Sequence, residues 1–213
     1  MKHLTISILS LLAILLILPS CRGKRHKEAE EEAVPEREKV GDFWVYQRPT
    51  PNIGRGKNEV KGIVLHHTAI KSIDGALDVL SPRGKTKTEV SSHVVIDKDG
   101  SRYILAKPEQ ITWHAGYSTL NGRDNCNKFT IGIEFHGNTA AKPLTREQIR
   151  SAVSFMLPIM KEYDIPVSNV VSHRQIRKNY QKAHPRKHVP DKGDITDEEY
   201  DRVIAALKDS LAR

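Results

Sequence analysis

Apolar positions fall into short runs and two longer periodic stretches. Ile63, Val64 and Leu65 stand together in 62–66. Similar runs recur at 92–97 ("SHVVID"), 102–106 ("RYILA"), 130–135 ("TIGIEF") and 169–172 ("NVVS"). Runs of this length, rich in β-branched residues, predict buried strands. "DKDG" at 97–100 sets Asp and Gly between two runs, so 92–106 reads as a hairpin. Ile149, Ala152, Val153, Met156, Ile159 and Tyr163 keep helical spacing behind Thr145 and Gln148, a capping box. Pro158 predicts a kink in that helix. A second box, Thr196 with Glu199, precedes Tyr200, Val203, Ile204, Leu207 and Leu211. Strands interleaved with amphipathic helices predict an α/β layered domain, and no internal repeat interrupts it.

The 213 residues exceed what this domain needs. Residues 4–18 are almost wholly apolar and follow Met1-Lys2-His3, the layout of a secretory signal. A membrane span needs about 20 residues. The run ends in "LPSC", which resembles the lipobox of bacterial lipoproteins, with Cys21 the acylated first residue. An ordinary cleaved signal or a retained anchor are the alternatives. Residues 22–40 hold six Lys/Arg and six Glu with almost no bulky apolar side chain. Such a segment buries too little surface to order itself and reads as a tether. The expected organisation is therefore 1–20 signal, 21–40 acylated cysteine and tether, and 41–213 folded domain. With Cys21 acylated, Cys126 is the remaining cysteine and no internal disulfide forms; it reads as a core residue. The net charge of +8 suits an anionic partner. Export argues for cell wall or lipid surface and against nucleic acid.

Candidate chemistry centres on histidine. Eight of the ten histidines lie between 66 and 188. Catalytic zinc takes three protein ligands and keeps a fourth position for water. No H-E-x-x-H is present, so ligands would come from separate elements, and composition does not choose among eight histidines. In "IVLHHTA", His66 and His67 point to opposite faces of a strand; alternation does not say which faces a site. Glu134 is a lone carboxylate within an apolar strand, costly to bury unless paired or functional. An edge strand with Glu134 on its wet face is the equal alternative.

"VLHHTA", "VSSHVVIDKDG", "WHAG", "GRDNCNKFTIGIEFHGN", "VVSHRQ" and "DKGD" follow one another in that order. Over about residues 60–196 the set resembles the zinc N-acetylmuramoyl-L-alanine amidase family, which includes phage amidases, animal peptidoglycan-recognition proteins and the anhydro-muropeptide amidase of wall recycling. The stretch from "VSSH" to "IGIEF" is especially similar to the recycling amidase. The resemblance implies a single domain with a central mixed β-sheet flanked by helices. It implies zinc held by His66, His173 and Asp194, the last through Lys192-Gly193-Asp194. His67 is then structural; His184, His188 and Asp191 are rival third ligands. Glu134 is the implied general base and Lys192 stabilises the oxyanion. Trp113, His114 and His93 match positions lining the substrate cleft, and Arg123 is placed to meet a muropeptide carboxylate. Asn125 and Glu89 stand where the recycling enzyme carries arginines. The implied activity is hydrolysis of the amide between N-acetylmuramic acid and L-alanine in peptidoglycan or muropeptides, by a monomer lipid-anchored in the bacterial envelope, periplasmic or at the outer membrane. A non-catalytic peptidoglycan-binding module is the alternative.

Overall fold

The central strands of the computed structural model are apolar on both faces. The structure describes residues 36–84, 89–190 and 193–213; the leader, Cys21 and most of the expected tether lie outside them. Strand β1 is Arg37–Val40, β2 Phe43–Gln47, β3 Ile53–Gly54, β4 Gly62–His67, β5 Val94–Ile96, β6 Arg102–Ile104, β7 Ile111–Thr112, β8 Thr119–Leu120, β9 Arg123–Asp124, β10 Thr130–Phe135 and β11 Val170–Ser172. Helix α1 is Ile73–Leu80, α2 Arg146–Glu162, α3 His173–Ala183 and α4 Asp197–Leu211. Seven strands form a mixed sheet in the order β1-β2-β6-β5-β10-β4-β11. β5, β10, β4 and β11 run parallel, whereas β5–β6 and β1–β2 are antiparallel. Parallel strands covered on both faces read as continuous apolar runs, which is why "GIVLHH" is buried throughout. Short antiparallel pairs β3–β7 and β8–β9 lie outside the main sheet.

Side-chain alternation divides the central strands between two layers. Ile63, Leu65, Ile131, Ile133, Phe135 and Val170 face α2 and α4, forming the main core with Ala152, Met156, Val203 and Leu207. On the opposite face Val64 and Val171 pack with Ile176 of α3, Leu120, Cys126 and Phe129. Val95 there meets Leu77 and Leu80 of α1. The register aligns Val95, Glu134 and His66 across that face. Cys126 is buried, as expected.

The expected hairpin forms as β5–β6, and both expected helices are present. α2 keeps its full capping box and continues through Pro158. α4 keeps only half of one. Thr196 Oγ1 accepts from the Glu199 N–H, but the buried Glu199 carboxylate accepts from the Leu144 N–H and Arg202, tying α4 to the start of α2. Pairing begins earlier than residue 41: Arg37–Val40 pairs with β2 across a turn at Gly41, whose φ of +59° suits glycine. Every residue of β1 is exposed. It is held by backbone hydrogen bonds, which a reading based on apolar burial does not register. Among the described residues no helix is long and apolar enough to cross a membrane.

Candidate metal centre and cleft

Three elements bring the candidate donors together. His66 is near the end of β4, His173 opens α3 directly after β11, and Asp194 precedes α4. Ser172 caps α3 by accepting from the Gln175 N–H, which fixes where the His173 ring starts. Ligand atoms of the three residues lie within 4.8 Å of one another. Asp194 Oδ2 is 2.6 Å from His173 Nδ1 and 3.4 Å from His66 Nδ1. Its other oxygen, Oδ1, accepts from the backbone N–H groups of His67 at 3.1 Å and Ile195 at 2.7 Å. One oxygen therefore anchors the carboxylate and the other faces the histidines. His173 Nε2–H donates to the Ala115 carbonyl at 3.2 Å. Asp194 Oδ2 therefore lies within reach of Nδ1 of both imidazoles, a grouping that a shared cation fits. Two imidazoles and one carboxylate, with their outer atoms hydrogen-bonded, suit a divalent metal with one open position.

Electrostatics agree with that geometry. Burial holds the His66 imidazole below its usual range, against the pull of Asp194. Burial alone pushes Asp194 up, but His66 and His173 together outweigh it and hold the carboxyl low. Glu134 lies opposite His66 in the parallel register. Its Oε2 is buried without a hydrogen-bond partner. Burial, then the charge of Asp194, raises its pKa well above the usual carboxylate value. The wet-edge alternative does not hold, because β10 lies between β4 and β5.

His67 points to the other face. Its Nδ1 accepts from the Thr139 N–H at 3.0 Å and contacts Thr139 Oγ1 at 2.8 Å. His184 lies tilted against Tyr180 and contacts Asp124 at 2.6 Å, and His188 is exposed; neither joins the three-donor group. Lys192 and Asp191 lie outside the described residues.

Of the expected cleft residues, Trp113 alone sits at a surface cavity. With Gly116, Tyr117, Asn125, Asn127 and Tyr180 it lines a space of about 470 Å³. Tyr117 and Tyr180 stack there with ring centroids 5.3 Å apart, inside the ~4.5–7 Å range of aromatic pairs. No sequence pattern marked those two tyrosines, because they are 63 residues apart. The other three expected cleft residues do not line that cavity. His93 is buried and does not face the cleft: Nδ1 accepts from the Gly132 N–H and Nε2–H donates to the Gln110 carbonyl, both at 3.0 Å. Burial pushes its pKa down to about 4, so it serves as a neutral core residue. Arg123 pairs with Glu59 at 2.7 Å at the surface and lies over Phe129. His114 turns inward and touches His66, with Nδ1 3.1 Å from His66 Nε2.

Comparison with known proteins gives a consistent result. Residues 56–190 match the family described as N-acetylmuramoyl-L-alanine amidase. The chain is 36% identical over 88 residues to the 1,6-anhydro-N-acetylmuramyl-L-alanine amidase AmpD of Haemophilus influenzae, covering 41% of this chain and 47% of that protein. It is 28% identical over 182 residues to the N-acetylmuramoyl-L-alanine amidase AmiD of Escherichia coli, covering 78% and 59%. The chain thus spans about half the length of the curated relatives it matches. A crystal structure of a selenomethionine derivative of AmpD superposes with a TM-score of 0.54 at 21% identity, covering 74% of this chain and 92% of that one, which shows a shared fold. Asp194 lies beyond the family match; its place beside His66 and His173 rests on geometry alone.

Proposed function

The chain belongs to the N-acetylmuramoyl-L-alanine amidase family, and from that premise we propose that it is a zinc hydrolase cleaving the amide between N-acetylmuramic acid and L-alanine of peptidoglycan or muropeptides. The observation that carries this is Glu134 Oε2, buried without a partner and in register with one of three converging metal donors. A binding module has no use for an orphaned carboxylate at that place, whereas a hydrolase needs a base there.

His66, His173 and Asp194 would hold the zinc. Bound there, it supplies Lewis acidity to the scissile carbonyl and lowers the pKa of water toward ~7. Glu134 accepts the proton of the attacking water and returns it to the departing L-alanine nitrogen. An amide nitrogen leaves only when protonated, so one carboxylate serves both steps. Its place in register with His66, with Oε2 buried and unpartnered, leaves that oxygen free for both transfers. We assign oxyanion stabilisation to Lys192 on the motif alone. The Trp113 and Tyr117 faces beside the site would receive the substrate.

Cys21 acylation and the tether would hold residues 41–213, as a monomer, at a bacterial envelope membrane within reach of the wall. Labelling with a radioactive fatty acid in a bacterial host, lost in Cys21→Ala, tests that part.

The activity is tested by digesting isolated peptidoglycan with the zinc-loaded chain and analysing the products by mass spectrometry. Peptides with a free L-alanine amine and intact glycan strands are expected. Sedimentation with peptidoglycan without peptide release would establish the binding module instead.

A further inference from the structure

A neutral imidazole presents its metal-binding nitrogen reliably only if its other nitrogen has a fixed partner. For His173 that partner is the Ala115 carbonyl. For His66 the partner is another histidine, whose own tautomer must then be set.

The contacts set it. Thr130 Oγ1 is 2.7 Å from the Cys126 carbonyl. A carbonyl cannot donate, so the Thr130 hydroxyl spends its single proton there. Thr130 Oγ1 is therefore an acceptor toward His114 Nε2, 3.3 Å away, and His114 carries its proton on Nε2. Among the described residues no carboxylate bonds the His114 ring, so an imidazole protonated on Nε2 alone fits its contacts. Its Nδ1 is then a lone pair, and His66 Nε2–H donates to it across 3.1 Å. That leaves His66 Nδ1 bare, on the side of Asp194 Oδ2.

Two further features hold the relay in place. A Cβ on Gly132 would lie 2.6 Å from His114 Cγ, so the ring rests directly on the bare backbone of β10. Asn127 Oδ1 accepts from the N–H groups of both His114 and Ala115, at 3.0 and 2.8 Å. A single amide thus pins two consecutive residues that supply the outer partners of both metal-site histidines.

We propose that His114 is a positioning residue, and that the relay from the Cys126 carbonyl through Thr130 and His114 fixes His66 in the tautomer that presents Nδ1 to the metal. This rests on the proposed amidase reading only in taking His66, His173 and Asp194 as the metal set.

The test uses Thr130→Val, which removes the hydroxyl at similar volume, and Thr130→Ser, which restores it. Two readouts apply to the full chain. One is the His66 tautomer in zinc-free protein, from two-bond ¹H–¹⁵N correlations of the imidazoles. The other is zinc affinity by chelator competition. The wild type is expected to show Nε2 protonated and Nδ1 bare. Thr130→Val should populate both tautomers and lose about 10-fold in zinc affinity, at the low end of the ~10–100-fold range for outer partners of ligating histidines. Thr130→Ser should recover both. If Thr130→Val does not fold, His114→Gln, whose amide oxygen still accepts from His66, is compared with His114→Phe; only the latter should mix the tautomers. A wild type with His66 Nδ1 protonated overturns the relay, as does a folded Thr130→Val, or in its place a folded His114→Phe, with unchanged tautomer and affinity. A wild type with the stated tautomer but no zinc binding would leave the relay standing and sink the metal reading.

Discussion

Replacing Glu134 by glutamine keeps the shape of the side chain and removes its ability to accept a proton. In this structure the change is clean. Glu134 Oε2 has no partner to lose, and the side chain is not among the three converging donors. Fold and zinc content should therefore stay at wild-type level. Turnover should not: a positioned general acid–base group contributes ~10²–10⁴-fold. At about 1.36 kcal/mol per tenfold, that is roughly 3–5 kcal/mol of barrier. Stability supplies a second readout with a definite sign. Burial raises the pKa of Glu134 in the folded, metal-free protein. Between the unfolded and folded pKa values the native state holds a proton that the unfolded state has released, so stability falls as pH rises. Metal-free Glu134→Gln lacks this loss. It should melt higher than the wild type near neutral pH, and the gap should close below the unfolded value near pH 4.5. The assay is kcat on a purified muropeptide by chromatography, beside zinc analysis and melting at two pH values. Zinc-loaded Glu134→Gln within threefold of wild-type turnover would refute the assignment.

Other substitutions separate the site from its decoys. His66→Ala should lose zinc, whereas His67→Ala should keep it and lose about 1–3 kcal/mol of stability, because Thr139 loses its buried partner while the His67 backbone N–H still holds Asp194; metal analysis with denaturant melts distinguishes them. Asp194→Ala should release zinc at neutral pH in a chelator competition, and His184→Ala and His188→Ala should not. Arg123→Ala should leave kcat/KM within about threefold of wild type, because Arg123 does not line the Trp113–Tyr180 cavity and its exposed pair with Glu59 contributes ~0.2–1 kcal/mol.

The sheet was legible where burial is two-sided. Ile63–Leu65 and Ile131–Ile133 are short, largely apolar runs buried on both faces, and "DKDG" announces its turn. α3 was not legible. Only Ile176 and Tyr180 are buried along it, too few for a period, and its start is fixed by Ser172 and by the demand for a ring at His173. The site divides in the same way. The shared face of His66, Gly132 and Glu134 follows from alternation plus register, and register is a property of the folded sheet. Which histidines converge came from motif order and not from composition. Contacts between distant segments, such as Arg123 with Glu59 or His114 with Thr130, have no sequence signal. For the same reason His93 and His114 looked alike on paper, although one satisfies the core and the other touches His66.

Restoring zinc to the chelated chain tests the central claim most directly. Zinc is added in fractions of an equivalent while release of L-alanine-terminated peptide from a muropeptide is followed. Activity should be absent at the start, rise linearly and break at one equivalent, with His66→Ala silent throughout. Full activity in the metal-free chain, or an active His66→Ala, would contradict the account.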